Sequence, residues 1–269
     1  MTRLLSLAHL TAITLPPPDL IHAAADVGFD AVGLRLIRVT DTSPGYPLMD
    51  DPAMMRATKA ALKDTGLKVH DIEFVKIEPD TDVKSLPPFL EAGAELGARE
   101  VITAPYDPDL NRLADRLGQL SDLAQERGLK VSFEFFPWTV VPDLTAALAL
   151  VERAGPEVGI LVDSLHFNRS GSTLEQLRAI PRDRLRFAHL CDAPVMPSYT
   201  TDDLLFAGRA ERLAPGEGAI PLHDFLGAFP DDLPLGLEVP MTRLLEAEGP
   251  RPVLHRVMDA TLKLLGSLR

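Results

Sequence analysis

A chain of 269 residues, 46% of them apolar, can bury the core of one large α/β barrel or of two ordinary domains. Its 27 basic and 39 acidic side chains leave a net charge of −12, which excludes the basic footprint needed by partners such as nucleic acid or an anionic membrane. The single cysteine, Cys191, rules out an internal disulfide framework and fits a reducing compartment.

Arg3 followed by LLSLAHLTAITL has the outline of a secretion signal. His9 interrupts it, PPP follows, and no A-x-A cleavage pattern appears, so a first strand is expected over 4–11. No apolar run reaches the roughly 20 residues that span a bilayer, and the expectation is a soluble, cytoplasmic protein. Asp19 then caps a helix that stops at Gly28, and 31–37 is the next strand. A loop rich in Asp, Ser, Pro and Gly runs to Pro52. A helix over 53–64 ends at Gly66, 68–77 is extended, 87–96 is helical to Gly97, and 100–104 is a short strand. The 111–127 segment is a long amphipathic helix with Gly128 just past its end, where a left-handed residue belongs. Strands at 130–136, 158–162, 185–190 and 235–239 then alternate with helices at 144–154, 174–180, 222–229 and 253–265.

Eight strands separated by eight helices imply parallel pairing with right-handed crossovers. That predicts an α/β fold, a (β/α)₈ TIM barrel forming one domain over residues 1–269, with its active site at the carboxyl ends of the strands. An open doubly wound sheet is the alternative, because periodicity does not show closure; its Gly-rich fingerprint after the first strand is absent. Strand phase favours closure. With Glu134, Asp163 and Glu238 facing inward, Ser132, Gly159, Leu161 and Gly236 share their face, and the bulky Val131, Phe133, Ile160, Val162, Leu235 and Leu237 face the helices.

Four of these strands end in a residue able to bind a metal: Glu134 in VSFEFFPW, Asp163 in GILVDSLHF, His189 in LRFAHLCDA and Glu238 in LGLEVP. On neighbouring parallel strands they converge at one rim. Burying three carboxylates without a cation costs many kcal/mol, so a divalent metal is the simplest compensation. An oxygen-rich set with one nitrogen suits Mn²⁺ or Mg²⁺ and tolerates Co²⁺, Fe²⁺ or Zn²⁺. Loop-end caps and a core histidine would account for any one of the four, but not for four in register.

The pieces GLKVSFEF, DSLHFNRSG, FAHLCDAP, PGEGAIPL and LGLEVP resemble the sugar phosphate isomerase/epimerase family with xylose-isomerase-like barrels, over nearly the whole chain. The resemblance implies that Glu134, Asp163, His189 and Glu238 bind one divalent metal and that His166, three residues past the ligand Asp163, contacts substrate. It also implies a polyhydroxy carbonyl substrate and leaves a homo-oligomer open. Endonuclease relatives of this barrel carry many more histidines than the seven here and a DNA-facing basic surface.

Arg209 is read as a lid residue whose guanidinium reaches substrate oxygens or a carboxylate, and Arg212 as a solvated arginine on a mobile excursion. Glu217, between glycines, marks a turn, and Cys191 is a small buried residue rather than a nucleophile. His9 lies near enough to reach the pocket but is weighed as structural. Glu73 and Lys76 sit at the rim, and Phe136, Trp138 and Phe167 form rim packing that would also suit a cyclic or partly apolar substrate.

Chemically, Glu134 and Glu238 on opposite faces of a chelated substrate would shuttle a proton through an enediolate, giving isomerisation or epimerisation. His166 would hydrogen-bond the developing oxyanion. With a β-hydroxyl as leaving group the same chemistry eliminates water, as in dehydratases of cyclic polyhydroxy ketones or dehydroshikimate. A barrel that binds metal and ligand without turnover is the third reading.

Overall fold

Eight parallel strands pair each with the next and the last with the first, so the sheet closes on itself. They are β1 (Leu5–Leu7), β2 (Ala31–Arg35), β3 (Lys68–Ile77), β4 (Glu100–Pro105), β5 (Lys130–Glu134), β6 (Gly159–Asp163), β7 (Leu185–Leu190) and β8 (Leu235–Leu237). The structure, a computed structural model, describes residues 3–40 and 42–268. Closure excludes the open sheet and establishes the single-domain (β/α)₈ barrel.

Outside the sheet lie α1 (Pro17–Val27), α2 (Pro52–Thr65), α3 (Pro87–Glu95), α4 (Leu110–Gln125), α5 (Leu144–Ala154), α6 (Ser164–Arg169), α7 (Leu174–Arg178), α8 (Thr201–Arg209), α9 (Leu222–Leu226), α10 (Thr242–Glu248) and α11 (Pro250–Gly266). The expected strict alternation fails in one region. Three short helices, α6, α8 and α10, are inserted after β6, β7 and β8, all at the carboxyl rim. Helix α6 starts where it does because Asp163 Oδ1 accepts the backbone N–H groups of Leu165 and His166, capping it. Helix α8 is held by a reciprocal capping box between Thr200 and Asp203.

Two boundaries also move. The first strand ends at Leu7, and His9–Ala12 turns into a 3₁₀ segment. There the His9 ring is buried, with Nδ1 accepting the Arg35 N–H at 2.8 Å and Nε2 2.9 Å from the Leu15 carbonyl. Helix α1 begins at Pro17 rather than being capped by Asp19, because proline at the first helical position needs no N–H partner; Asp19 sits within the first turn.

The core has two layers. The larger lies between strands and helices and contains Val131, Phe133, Phe135, Ile160, Val162, Leu235, Leu237 and Val239, the outward face expected from strand phase. The smaller fills the barrel itself with Phe74, Ile102, Ala104, Phe136, Leu161 and Phe187. Each fully buried Phe or Leu contributes about 1.5–3 kcal/mol. Phe74 and Phe136 of this inner layer also line a cavity at the rim, and the strand ends there carry polar residues.

Candidate metal centre and cavity

Strand register places the four predicted side chains together. Asp163 and His189 are partners across β6 and β7, and His189 lies beside Gly236 across β7 and β8. Glu134 is the last residue of β5, and Glu238 follows β8 by one position. All four are buried, and one ligand atom from each lies within 4.8 Å of the others. His189 Nδ1 is 3.9 Å from Glu134 Oε1, 4.0 Å from Asp163 Oδ2 and 3.7 Å from Glu238 Oε2.

The donor set fits a divalent cation. Glu134 Oε1 and both His189 ring nitrogens are buried without a hydrogen-bond partner, an expensive condition for groups that face one another. Three carboxylates against one buried guanidinium, Arg212, leave a deficit of two positive charges when His189 is neutral. Thiolate coordination plays no part, since Cys191 is not in the cluster.

Arg212 corrects the sequence-based expectation. Far from being solvated, it is 2% exposed and donates from Nη1 to Asp163 Oδ2 at 2.8 Å, with Nη2 2.8 Å from Glu238 Oε2. Burial pushes its guanidinium down, but Asp163 and Glu238 outweigh that and hold it charged. It was missed because its partners belong to strands distant in sequence.

Gly236 makes room for the imidazole. A Cβ there would stand 2.6 Å from His189 Cδ2 and 3.0 Å from Nε2. Gly236→Ala is therefore expected to turn His189 out of the cluster and weaken Mn²⁺ binding at least about tenfold, with overpacking costing about 1–3 kcal/mol. Calorimetric Mn²⁺ titration beside a thermal melt checks this; unchanged affinity would detach His189 from the centre.

Above the cluster opens a cavity of about 260 Å³, lined among others by Glu134, His166, Arg209, Arg212 and Glu238. Phe136 and Trp138 line it as a flat wall, their rings stacked at 4.9 Å and 9°, with His166 edge-on to both. His166 is buried, its Nε2 3.9 Å from Glu134 Oε1, and its Nδ1 has no partner. Burial, only partly opposed by Asp163, lowers its pKa to about 4, so the ring is neutral near pH 7. Arg209 stands exposed at the mouth with no carboxylate partner among the described residues.

Several residues weighed from sequence lie elsewhere. Phe167 packs on Phe225, 5.4 Å away, in the outer core rather than beside Trp138. Glu217 pairs with Arg256 on the surface, and Lys76 pairs with Glu78 while lying over Tyr106. Glu73 is buried against Arg35 at 3.1 Å. Cys191 is buried, and burial is the main force pushing its thiol up to about 12, so it is inert. Arg35, which lines the cavity, was not anticipated, although it ends β2 as Glu134 ends β5.

A family model for the xylose isomerase-like TIM barrel matches residues 21–257. Inosose isomerase of Bacillus velezensis is 29% identical over 152 residues, 52% of this chain and 52% of that protein. 3-Dehydroshikimate dehydratase of Pseudomonas putida is 30% identical over 168 residues, 58% of this chain and 26% of that protein. The chain thus spans about half the length, or less, of these curated relatives. A 1.8 Å crystal structure of IOLI protein with a binding zinc atom superposes with a TM-score of 0.82 at 19% identity, covering 98% of this chain and 99% of that one; at this identity the likeness concerns the fold.

Proposed function

The chain belongs to the xylose isomerase-like TIM barrel family, and on that footing we propose that it is a divalent-metal-dependent isomerase or epimerase of a sugar or other polyhydroxy carbonyl compound. The observation that carries the proposal is the convergence of Glu134, Asp163, His189 and Glu238 within 4.8 Å at the base of a partly aromatic cavity. These four residues would hold the cation, with Mn²⁺ or Mg²⁺ favoured by the oxygen-rich donors and the zinc described for a structural relative also accommodated. When bound, the cation supplies a Lewis acid for adjacent carbonyl and hydroxyl oxygens of the substrate.

The chain's own residues supply the proton chemistry. Glu134 and Glu238 leave β5 and β8, three strands apart around a ring of eight, so they approach a ligand from different sides. One removes the proton next to the carbonyl and the other returns it. His166, neutral and partly unpaired, donates a hydrogen bond to a substrate oxygen. Arg209 at the mouth engages outer hydroxyls or a carboxylate. The stacked Phe136 and Trp138 receive the less polar face of the substrate.

Incubating Mn²⁺-loaded protein with an inosose and a set of ketohexoses in D₂O tests this. Deuterium should enter at the carbon next to the carbonyl, and a second isomer should accumulate. Full Mn²⁺ occupancy with no exchange into any of them would remove the reading.

One observation favours a second reading. Arg209 lacks an acidic partner among the described residues and faces the cavity that the aromatic wall also lines, which suits a carboxylated ring and elimination of water. With 3-dehydroshikimate, a dehydratase would produce a rising ultraviolet absorbance from new conjugation; an isomerase would leave the spectrum flat.

A further inference from the structure

We propose that Arg212 is a positioning residue that fastens the roof of the cavity, helix α8, to the carboxylates of the cation centre. The inference rests on the reading of Glu134, Asp163, His189 and Glu238 as cation ligands.

Its hydrogen bonds carry the argument. Nε donates to the Ala207 carbonyl at 3.3 Å, and Nη2 to the Gly208 carbonyl at 2.9 Å. Both carbonyls lie in the last turn of α8, where carbonyls have no partner within the helix. In the other direction, Nη1 donates to Asp163 Oδ2 at 2.8 Å and to the Glu238 carbonyl at 3.0 Å, and Nη2 lies 2.8 Å from Glu238 Oε2. A guanidinium has five N–H donors in a rigid fork. Nη1 also lies 3.5 Å from Cys191 Sγ, so every nitrogen of the fork is engaged by the protein although the side chain borders the cavity. Arg212 is a bracket, and the ligand-facing cation at the mouth is Arg209.

The bracket matters for substrate because of what α8 rests on. Gly208 sits against the aromatic wall, and a Cβ there would stand 2.8 Å from Trp138 Cη2 and 3.7 Å from His166 Cε1. The position of α8 therefore sets the space above Trp138 and His166. One planar group fixes both that position and the orientation of two ligand carboxylates. The fork reaches the α8 carbonyls and the charge faces the carboxylates, so the two functions share one side chain yet rest on different properties of it.

Charge and fork geometry are separable by substitution. Arg212→Lys keeps a cation near Asp163 and Glu238 but loses the fork that reaches the α8 carbonyls. Arg212→Met loses both. Hydrogen-exchange mass spectrometry of the 201–210 segment is measured beside calorimetric Mn²⁺ titration.

Arg212→Lys is expected to speed exchange in 201–210 at least about tenfold while the Mn²⁺ Kd changes by less than about fivefold. Arg212→Met is expected to speed that exchange equally and to weaken Mn²⁺ at least about tenfold. Unchanged exchange of α8 in Arg212→Lys overturns the proposal, as does faster exchange spread evenly over the barrel strands. Neither measurement uses a substrate, so a protein that turns over no sugar can still confirm the bracket. Failure of the unsubstituted protein to bind Mn²⁺ would instead strike the cation reading, with α8 exchange still deciding whether Arg212 holds the roof.

Discussion

Glu134→Gln and Glu238→Gln are each expected to abolish interconversion of substrate isomers, by about 10²- to 10⁴-fold, the usual contribution of a positioned proton carrier. The two variants should differ in what they retain. A two-sided proton transfer needs one carboxylate for each face of the reacting carbon. Removing one leaves the other able to exchange its own face with solvent without completing the reaction. In D₂O, therefore, Glu134→Gln should wash deuterium into one isomer and Glu238→Gln into the other, at Mn²⁺ concentrations that saturate each variant. Turnover within tenfold of the unsubstituted protein for either variant would end the proton-shuttle role. Exchange into the same isomer by both would mean that the two carboxylates do not act on opposite faces.

In the cation-free protein the electrostatics of the cavity already set the two carboxyls apart. Burial, reinforced by Glu238 and Asp163 and opposed by His189, holds the Glu134 carboxyl well above the ordinary range. Burial acts in the same direction on Glu238 but is overcome by Arg212 and His189, which depress it. Two carboxylates whose surroundings drive them apart are suited to opposite proton duties at one pH. Arg212 leads the forces that depress Glu238 and, with the hydrogen-bonded His189, sets it apart from Glu134, on which Arg212 acts more weakly.

The four cluster residues were legible because each terminates an apolar run, and alternation along a strand fixes which face its last residue takes. Asp163 could be read as an inward ligand before closure of the barrel was known, since Ile160 and Val162 had to face the helices. Arg35 occupies an equivalent strand end yet carried no such signal: a single arginine after an apolar run is ordinarily solvated, and its buried partner Glu73 is 38 positions away. Arg212 was misread for the same reason. Its acceptors on Asp163 and Glu238 lie 49 and 26 positions away, and only the closed sheet brings them beside one another. Helices α6 and α8, of six and nine residues, are too short for an apolar period to show, and both are held by side-chain caps. The inserted rim helices were thus the illegible part of the fold, and two of them, α6 and α8, bring His166, Gly208 and Arg209 to the cavity.

Binding of Mn²⁺ is expected to release protons near pH 7, one of them from His189, and to tighten by at least about tenfold per pH unit over the neutral range. In the cation-free protein, burial pushes the His189 imidazolium down, but Glu238, Glu134 and Asp163 overcome this and raise its pKa to about 10. A metal ligand must be a neutral imidazole, so at any pH below about 10 the cation displaces that proton. The same shift decides the stability of the cation-free fold. Its raised pKa stabilises the folded state fully below the unfolded value of about 6.5, and that contribution fades as pH rises towards about 10. Glu134 acts in the same direction, because a raised carboxyl makes folding less favourable as pH climbs past its unfolded value of about 4.3. The cation-loaded protein escapes both losses. Mn²⁺ at a hundred times its Kd adds about 2.7 kcal/mol, roughly 5–10 °C in Tm for a chain of this size. At fixed Mn²⁺ that gain should widen steadily from pH 6 to pH 8. Thermal melts at three pH values, with calorimetry in buffers of different ionisation enthalpy, read both quantities. A Tm gain that is flat with pH, or a His189→Gln variant that releases as many protons as the unsubstituted protein, would show that the imidazole does not yield its place to the cation.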